Sequence, residues 1–261
     1  MTTALNGADM GNLEVKWYGI NALEFRYDGG AFMIDPYVSR DEKNLTVPAE
    51  VDRYLTTRPD FVLMTHAHWD HLPDMPRLIA KTDTVLYASE TACWIMRALG
   101  VPEKNLHPLK FGEVLEFPGG MKITALESRH MGVIPEPSCY DAMPPAEALK
   151  SKGGWRCGEV FAFLIEYDNL RILNCGSANF HLPTMKGLEC DYLICGISRW
   201  KEGFPELLAN TIKYRILIPV HHDEFRLPLS EFYLRNDMER LQAALPGIQG
   251  KTLPVLEWTN L

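Results

Sequence analysis

Thr65-His66-Ala67-His68-Trp69-Asp70-His71-Leu72 places three imidazoles and one carboxylate within six residues. The apolar run Phe61–Thr65 leads into it and reads as a short strand buried on both faces. A loop at the end of such a strand can hold ligand side chains firmly. Neutral imidazoles offer lone pairs and the carboxylate offers charge, a mixture that suits Zn²⁺, with Mn²⁺ or iron as alternatives. In an extended loop, spacing by two sends His66 and His68 the same way, and Asp70 and His71 can turn toward a second position. The plainer alternative is a polar loop whose histidines only cap or hydrogen-bond. Clustering of this density after an apolar strand favours a metal site.

Upstream of this segment, Leu13–Tyr18, Ala22–Tyr27 and Ala31–Asp35 read as short strands, with Asp28-Gly29-Gly30 as a hairpin signal. Downstream, Ser89 caps a helix expected over Glu90–Leu99, ended by Gly100 and Pro102. Further strands are expected at Val114–Phe117, Met121–Glu127, Val160–Tyr167, Leu170–Asn174, Asp191–Cys195 and Arg215–Val220. A last helix is expected from near Ser230 toward Leu245. Residues 131–158 break the pattern, with Pro135, Pro137, Pro144, Pro145 and Gly153-Gly154. Strand-rich halves with helices between and after them indicate a layered α/β domain.

The H-x-H-x-D-H pattern resembles the signature of the metallo-β-lactamase superfamily, and Ile34-Asp35-Pro36 is similar to the element that precedes it there. The resemblance extends from about Val15 to Phe225. It implies an α/β fold, a four-layer αβ/βα sandwich with mixed sheets. It also implies one domain over residues 1–261, with a lid insertion at 131–158. The activity implied is that of a metal-dependent hydrolase using one or two zinc ions, with metal-bound hydroxide as the attacking group. By the same resemblance His130, in Glu127-Ser128-Arg129-His130, takes the place of a third histidine for the first metal. His221, after Ile216–Val220, takes that of the last ligand. The run "IPVHHDEF" is similar to the ending of the L-ascorbate-6-phosphate lactonase-like branch, where His222 occupies a tyrosine position and is not a ligand.

Two departures stand out. The family's Gly-Asp-Thr, whose aspartate bridges two metals, corresponds to Cys175-Gly176-Ser177-Ala178, with Ser177 in place of the carboxylate. Two cations ~3.5–4 Å apart repel and need bridging anions, so the second metal is expected to be weaker, absent or held by another ligand. Cys175, His181 and Asp223 are candidates for that role; the alternatives are a buried thiol, a surface histidine and a solvated acid. The second departure is Ile20, where the lactonase branch often has histidine after glycine.

A bound Zn²⁺ lowers the pKa of its water from 15.7 toward ~7, which makes hydroxide available at neutral pH. Asp70 is expected to orient that water and to serve the second metal. Asp35 reads either as an acceptor fixing a histidine tautomer or as a turn residue before Pro36. Tyr140, Trp155 and Arg156 are candidates to close over a small, anionic substrate, with Arg156 pairing the anion. Arg199-Trp200-Lys201 is a further candidate for the same pocket. The favoured reading is hydrolysis of an ester, lactone or phosphoester. The alternatives are a phosphodiesterase or nuclease, and a non-catalytic metal-binding scaffold or sensor.

A formal net charge of −8 on 261 residues disfavours broad nucleic-acid binding. The six cysteines form no C-x-x-C pair, as expected of reduced thiols in a cytoplasmic protein. Met1–Asn12 lacks the pattern of an export signal, and no apolar run reaches the ~20 residues of a membrane span. Nothing in the composition excludes a homo-oligomer.

Overall fold

Alternation along Phe161–Tyr167 sorts side chains between two cores. Phe161, Phe163 and Ile165 enter the apolar layer between two sheets, whereas Ala162 and Leu164 face helices on the other side. The computed structural model describes residues 12–48, 51–131 and 138–261. The polar lead 1–11 lies outside the described residues, as do residues 132–137 of the irregular segment, with Pro135 and Pro137.

The first sheet contains β1 (Glu14–Trp17), β2 (Leu23–Tyr27), β3 (Gly30–Ile34), β4 (Phe61–Leu63), β5 (Val85–Ala88) and β6 (Leu106–Pro108). The second contains β7 (Val114–Phe117), β8 (Met121–Glu127), β9 (Phe161–Tyr167), β10 (Leu170–Cys175), β11 (Glu189–Gly196) and β12 (Lys213–Val220). A final strand, β13 (Trp258–Asn260), closes the first sheet in the order β13-β1-β2-β3-β4-β5-β6; the second runs β12-β11-β10-β9-β8-β7. Both sheets are mixed. β1-β2-β3 and β7-β8-β9-β10 are antiparallel meanders, while β3-β4-β5-β6 and β10-β11-β12 pair in parallel. A hairpin forms at the expected Asp28-Gly29-Gly30 signal, but its turn is only Asp28-Gly29, because Gly30 pairs with Tyr27 as the first residue of β3.

Helices α1 (Val51–Tyr54), α2 (Met75–Thr82) and α3 (Glu90–Ala98) lie on the side of the first sheet. Met75, Leu78, Ile79, Ile95 and Met96 share a core there with Val62 and Leu86. Ser89 caps α3 by accepting from Ala92 N at 3.1 Å. Helices α4 (Leu182–Met185), α5 (Phe204–Thr211) and α6 (Asp237–Ala244) cover the second sheet, with Phe204, Leu208 and Leu241 against Leu193 and Leu217. The result is the expected four layers, helix–sheet–sheet–helix. Each large apolar side chain in these cores contributes roughly 1.5–3 kcal/mol by leaving water. No helix among the described residues is long and apolar enough to cross a membrane.

The last helix starts later than its apolar pattern predicts. Leu229–Glu231 is only a short 3-10 turn, and α6 begins at Asp237. The intervening chain is extended because it pairs with the loop after β12: Glu224 N donates to Tyr233 O at 3.1 Å and Arg235 N to His222 O at 2.7 Å. β5, β6, β13, α1, α2, α4 and α5 have no counterpart in the sequence reading.

The strands β3, β4, β8, β10, β11 and β12 all point their C-terminal ends to one edge of the sandwich. Ligands of open α/β sheets bind at such an edge. The H-x-H-x-D-H loop leaves β4 there, His130 follows β8, Ser177 follows β10 and His221 follows β12.

Candidate metal centre

Five histidines and Asp70 converge at this edge. Ligand atoms of His66, His68 and His130 lie within 4.8 Å of one another, and so do those of Asp70, His71 and His221. His66 joins the two groups, its ring centroid 4.0 Å from that of His71, 4.8 Å from His68 and 5.0 Å from His130.

Neighbouring groups set the tautomers. The Thr65 hydroxyl donates to Asp35 through a very short hydrogen bond and accepts from His66 Nδ1 at 3.0 Å, which leaves the Nε2 lone pair of His66 free. His71 Nδ1 donates to Asp35 Oδ2 at 2.8 Å, and His130 Nδ1 to Met131 O at 3.0 Å, so their Nε2 atoms are free as well. Asp35 is held by Thr65 N at 2.7 Å and Asn21 Nδ2 at 2.8 Å. Its left-handed backbone (φ 43°) is the kind of local strain that packed surroundings must sustain. Asn21 and Asn174 exchange amide hydrogen bonds at 3.2 and 2.9 Å and so tie the β1–β2 turn to β10 of the other sheet.

Burial, reinforced by the neighbouring imidazoles, pulls His66 well below the ordinary histidine pKa. The same causes take His68 to about 3 and His130 to about 4. Burial pulls His71 down too, but the charge and hydrogen bond of Asp35 outweigh it and the pKa is raised. Burial alone would raise Asp70. The hydrogen bond from His221 and the charges of His71, His221 and His68 prevail and hold it below the usual carboxylate range. His66, His68 and His130 are therefore neutral imidazoles and Asp70 is an ionised carboxylate, the protonation states that bind a cation.

His66 Nε2 is buried without a hydrogen-bond partner, as are His221 Nδ1 and both ring nitrogens of His222. A buried, unpaired polar atom is destabilising by about 1–3 kcal/mol. For His66 a divalent cation would supply the missing partner, and the nitrogen-rich donor set fits Zn²⁺. His222 lies outside the groups of converging ligand atoms, its ring stacked on Trp17 at 5.7 Å.

The other candidates fall into distinct places. Cys175 faces the helix side of the second sheet, opposite to Asn174, because successive strand residues alternate faces; burial raises its thiol well above the ordinary range. It cannot replace the missing bridging carboxylate. His181 packs near Thr184 (2.6 Å) and Glu127 (3.5 Å), outside both groups of converging ligands. Asp223 is fully buried and paired with Arg40 at 2.6 Å, so its charge is already neutralised away from the cluster. Ser177 lines the cavity, its hydroxyl accepting from Met131 N at 2.9 Å. Gly176 precedes it because a β-carbon there would collide with the Thr65 hydroxyl, on which the His66 tautomer depends.

A cavity of about 560 Å³ opens over the cluster. His68, Asp70, His130 and His221 reach it, with Trp155 and Arg156 on its walls. Tyr140 is not among the lining residues; it braces the wall, donating from its hydroxyl to Gly154 O (3.1 Å) beneath the Arg156 guanidinium. The described part of the irregular segment, 138–158, is fastened to the first sheet's core by Leu149 and Trp155 and by Ala67 N donating to Cys157 O at 2.8 Å.

Residues missed in the sequence are those that hold the ligands' supports. Thr65, Asn21 and Asn174 act through Asp35, and Asn179 donates to His130 O at 3.0 Å. Arg235 donates to Asp223 O, His221 O and Ser198 Oγ at 2.6, 3.2 and 2.9 Å. Asn174, polar within the apolar run Ile172–Cys175, is the one signal of this kind visible in the sequence.

The family model for the beta-lactamase superfamily domain matches residues 31–202. A UPF0173 metal-dependent hydrolase from Polynucleobacter asymbioticus is 26% identical over 260 residues, 95% of this chain and 85% of that protein. A metallo hydrolase from the hyperthermophilic archaeon Ignicoccus hospitalis has the same fold, with a TM-score of 0.61 at 16% identity over 96% of this chain and 98% of its own. The metallo-β-lactamase fold protein YhfI from Bacillus subtilis gives 0.60 at 12% identity, over 96% and 100%. By the extent of the family match, the chain belongs to the beta-lactamase superfamily domain family, as a metal-dependent hydrolase of the metallo-β-lactamase fold.

Proposed function

We propose that this hydrolase cleaves an ester or lactone bond of a small molecule, in the manner of the lactonase-like branch. Its principal cation is zinc, held by His66, His68 and His130. Asp70, His71 and His221 form a second, weaker position. The observation that carries this reading is Ser177 on the cavity wall where a bridging carboxylate would stand. Symmetric two-metal clamping of a phosphoryl group depends on a closely spaced pair of cations, whereas polarising an acyl carbonyl needs one. The cation would supply a Lewis acid and a water that ionises near neutral pH.

The chain does the rest. Asp70, kept ionised, presents Oδ2 3.5 Å from His221 Nε2 and orients the attacking water as an acceptor. Thr65 and Asp35 keep the Nε2 atoms of His66 and His71 turned inward. Trp155 and its segment wall the cavity, whose size suits a small ligand.

With zinc supplied, p-nitrophenyl esters and simple lactones should turn over at least ~10-fold faster than bis(p-nitrophenyl) phosphate, by the preference of a single cation for acyl chemistry. Faster cleavage of the phosphodiester would reverse the assignment in favour of a phosphodiesterase.

Metal content gives a separate check. Protein purified without added metal should hold about one equivalent by mass spectrometry, since two close cations lack an anion between them. Ser177→Asp should raise it toward two. Two full equivalents in the unmodified chain would mean that another group bridges the pair.

A further inference from the structure

The geometry points to Arg199 as the residue that selects the substrate, by gripping a carboxylate or phosphate that the substrate carries away from its scissile bond. This rests on the hydrolase reading above and adds the class of molecule: a small ester or lactone with a second, anionic end.

The argument begins with charge. The chain is acidic overall, with a net charge of −8. Yet Lys152, Arg156 and Arg199 all line the cavity, and Asp70 is the single acidic residue there among the described residues. A cation-lined cleft in an acidic protein raises the local concentration of anions.

The three cations differ in what already occupies them. Lys152 is paired with Glu42 and sits 4.0 Å over the Trp69 ring. Arg156 donates to Cys139 O at 2.6 Å and stacks on Tyr140. The Arg199 guanidinium has no carboxylate, carbonyl or aromatic partner among the described residues, although its backbone is fixed. Its N–H donates to Asp237 Oδ1 at 3.1 Å, and the next residue, Trp200, donates from its indole to Asp237 O at 3.0 Å. The backbone at Arg199 is left-handed (φ 47°), a conformation that non-glycine residues adopt at a cost. An anchored backbone that presents an exposed, uncommitted guanidinium at a cavity wall leaves it free to bind an oxyanion in bidentate fashion.

Arg199 follows β11 of the second sheet, whereas Lys152 and Arg156 belong to the segment fastened to the first sheet's core. The two halves of the sandwich thus contribute separate cations to one cavity, with the imidazole cluster at its floor. A ligand with two anionic or polar ends can span from the metal position to the wall.

The test uses the full chain loaded with zinc and the unreactive diacids succinate, glutarate and adipate, each compared with its monoamide by titration calorimetry. One carboxylate of either ligand can reach the metal; only the diacid offers a second to Arg199. At the best-fitting chain length the diacid should bind about 10- to 100-fold more tightly than its monoamide, the range for a hydrogen-bonded charge pair. Arg199→Gln should erase that difference, Arg199→Lys should keep part of it, and monoamide affinity should change little in either. The inference is overturned if no diacid outbinds its monoamide, or if Arg199→Gln keeps the preference. Failure of the ester and lactone assays would count against the hydrolytic assignment alone, because binding is read here without turnover.

Discussion

Replacing His66 with alanine should lower hydrolysis by more than roughly a thousandfold and remove the more tightly held metal equivalent. The size follows from what a cation does to water: an ionisation shifted from 15.7 to about 7 cannot be recovered by the remaining side chains. His66 is the residue to choose because its ring lies in contact with both ligand groups. It is also almost fully buried, with Thr65 committing Nδ1 and leaving Nε2 without a partner. The thermal readout separates loss of metal from loss of fold. A ligand that binds only the native state stabilises it by about 2.7 kcal/mol at a hundredfold excess over Kd. Chelation should therefore lower the Tm of the unmodified protein by several degrees and leave that of His66→Ala nearly unchanged. A variant that kept its metal and a rate within tenfold of the parent would show that the cluster is not the seat of the chemistry.

The local part of this site was legible because its chemistry is local in sequence. Five positions, His66 to Asp70, are enough to place two imidazoles and a carboxylate at the end of one strand. The fold was legible for a related reason. Alternating stretches such as Phe161–Tyr167 must bury one face against each layer, and apolar runs such as Phe61–Leu63 must be covered on both. What could not be read is what the ligands rest on. Asn21 and Asn174 are 153 positions apart, and their reciprocal amide pair exists only once both sheets are in place. Asp223 illustrates the converse. As a sequence position near His221 it was a reasonable substitute ligand, yet a cation from a distant loop had already taken its charge. The short β5 and β6 and the helix α2 were missed because they span only four, three and eight residues, too few for a period to stand out, and it is packing that decides such elements.

The pairing of Arg40 with Asp223 leads to the second large effect: Asp223→Ala should destabilise the protein by about 3–5 kcal/mol, the usual result of stranding a buried charge. Both side chains are fully buried, 2.6 Å apart. Arg40 also donates to Tyr18 O at 3.2 Å and Leu227 O at 3.3 Å, and Asp223 accepts from Ile20 N at 2.9 Å. Gly19 is required beside them, since its φ is +88° and a β-carbon there would overlap the guanidinium. The pair thus joins the β1–β2 turn, the loop after β3 and the loop after β12. Its purpose follows from His221, whose left-handed backbone (φ 56°) is held by its N–H donating to Ile20 O at 2.7 Å. Losing Asp223 frees Ile20 and, with it, the support of the last ligand. Urea denaturation of metal-free protein should show the full loss in Asp223→Ala. Arg40→Met combined with Asp223→Leu should recover a good part of it, because no isolated charge remains. If Asp223→Ala costs less than about 1 kcal/mol, the pair is not buried as described. The single variant should also weaken metal at the second position more than at the first, since His221 serves only the Asp70–His71 group. Equal loss at both positions would mean that the ion pair supports the fold generally rather than this ligand.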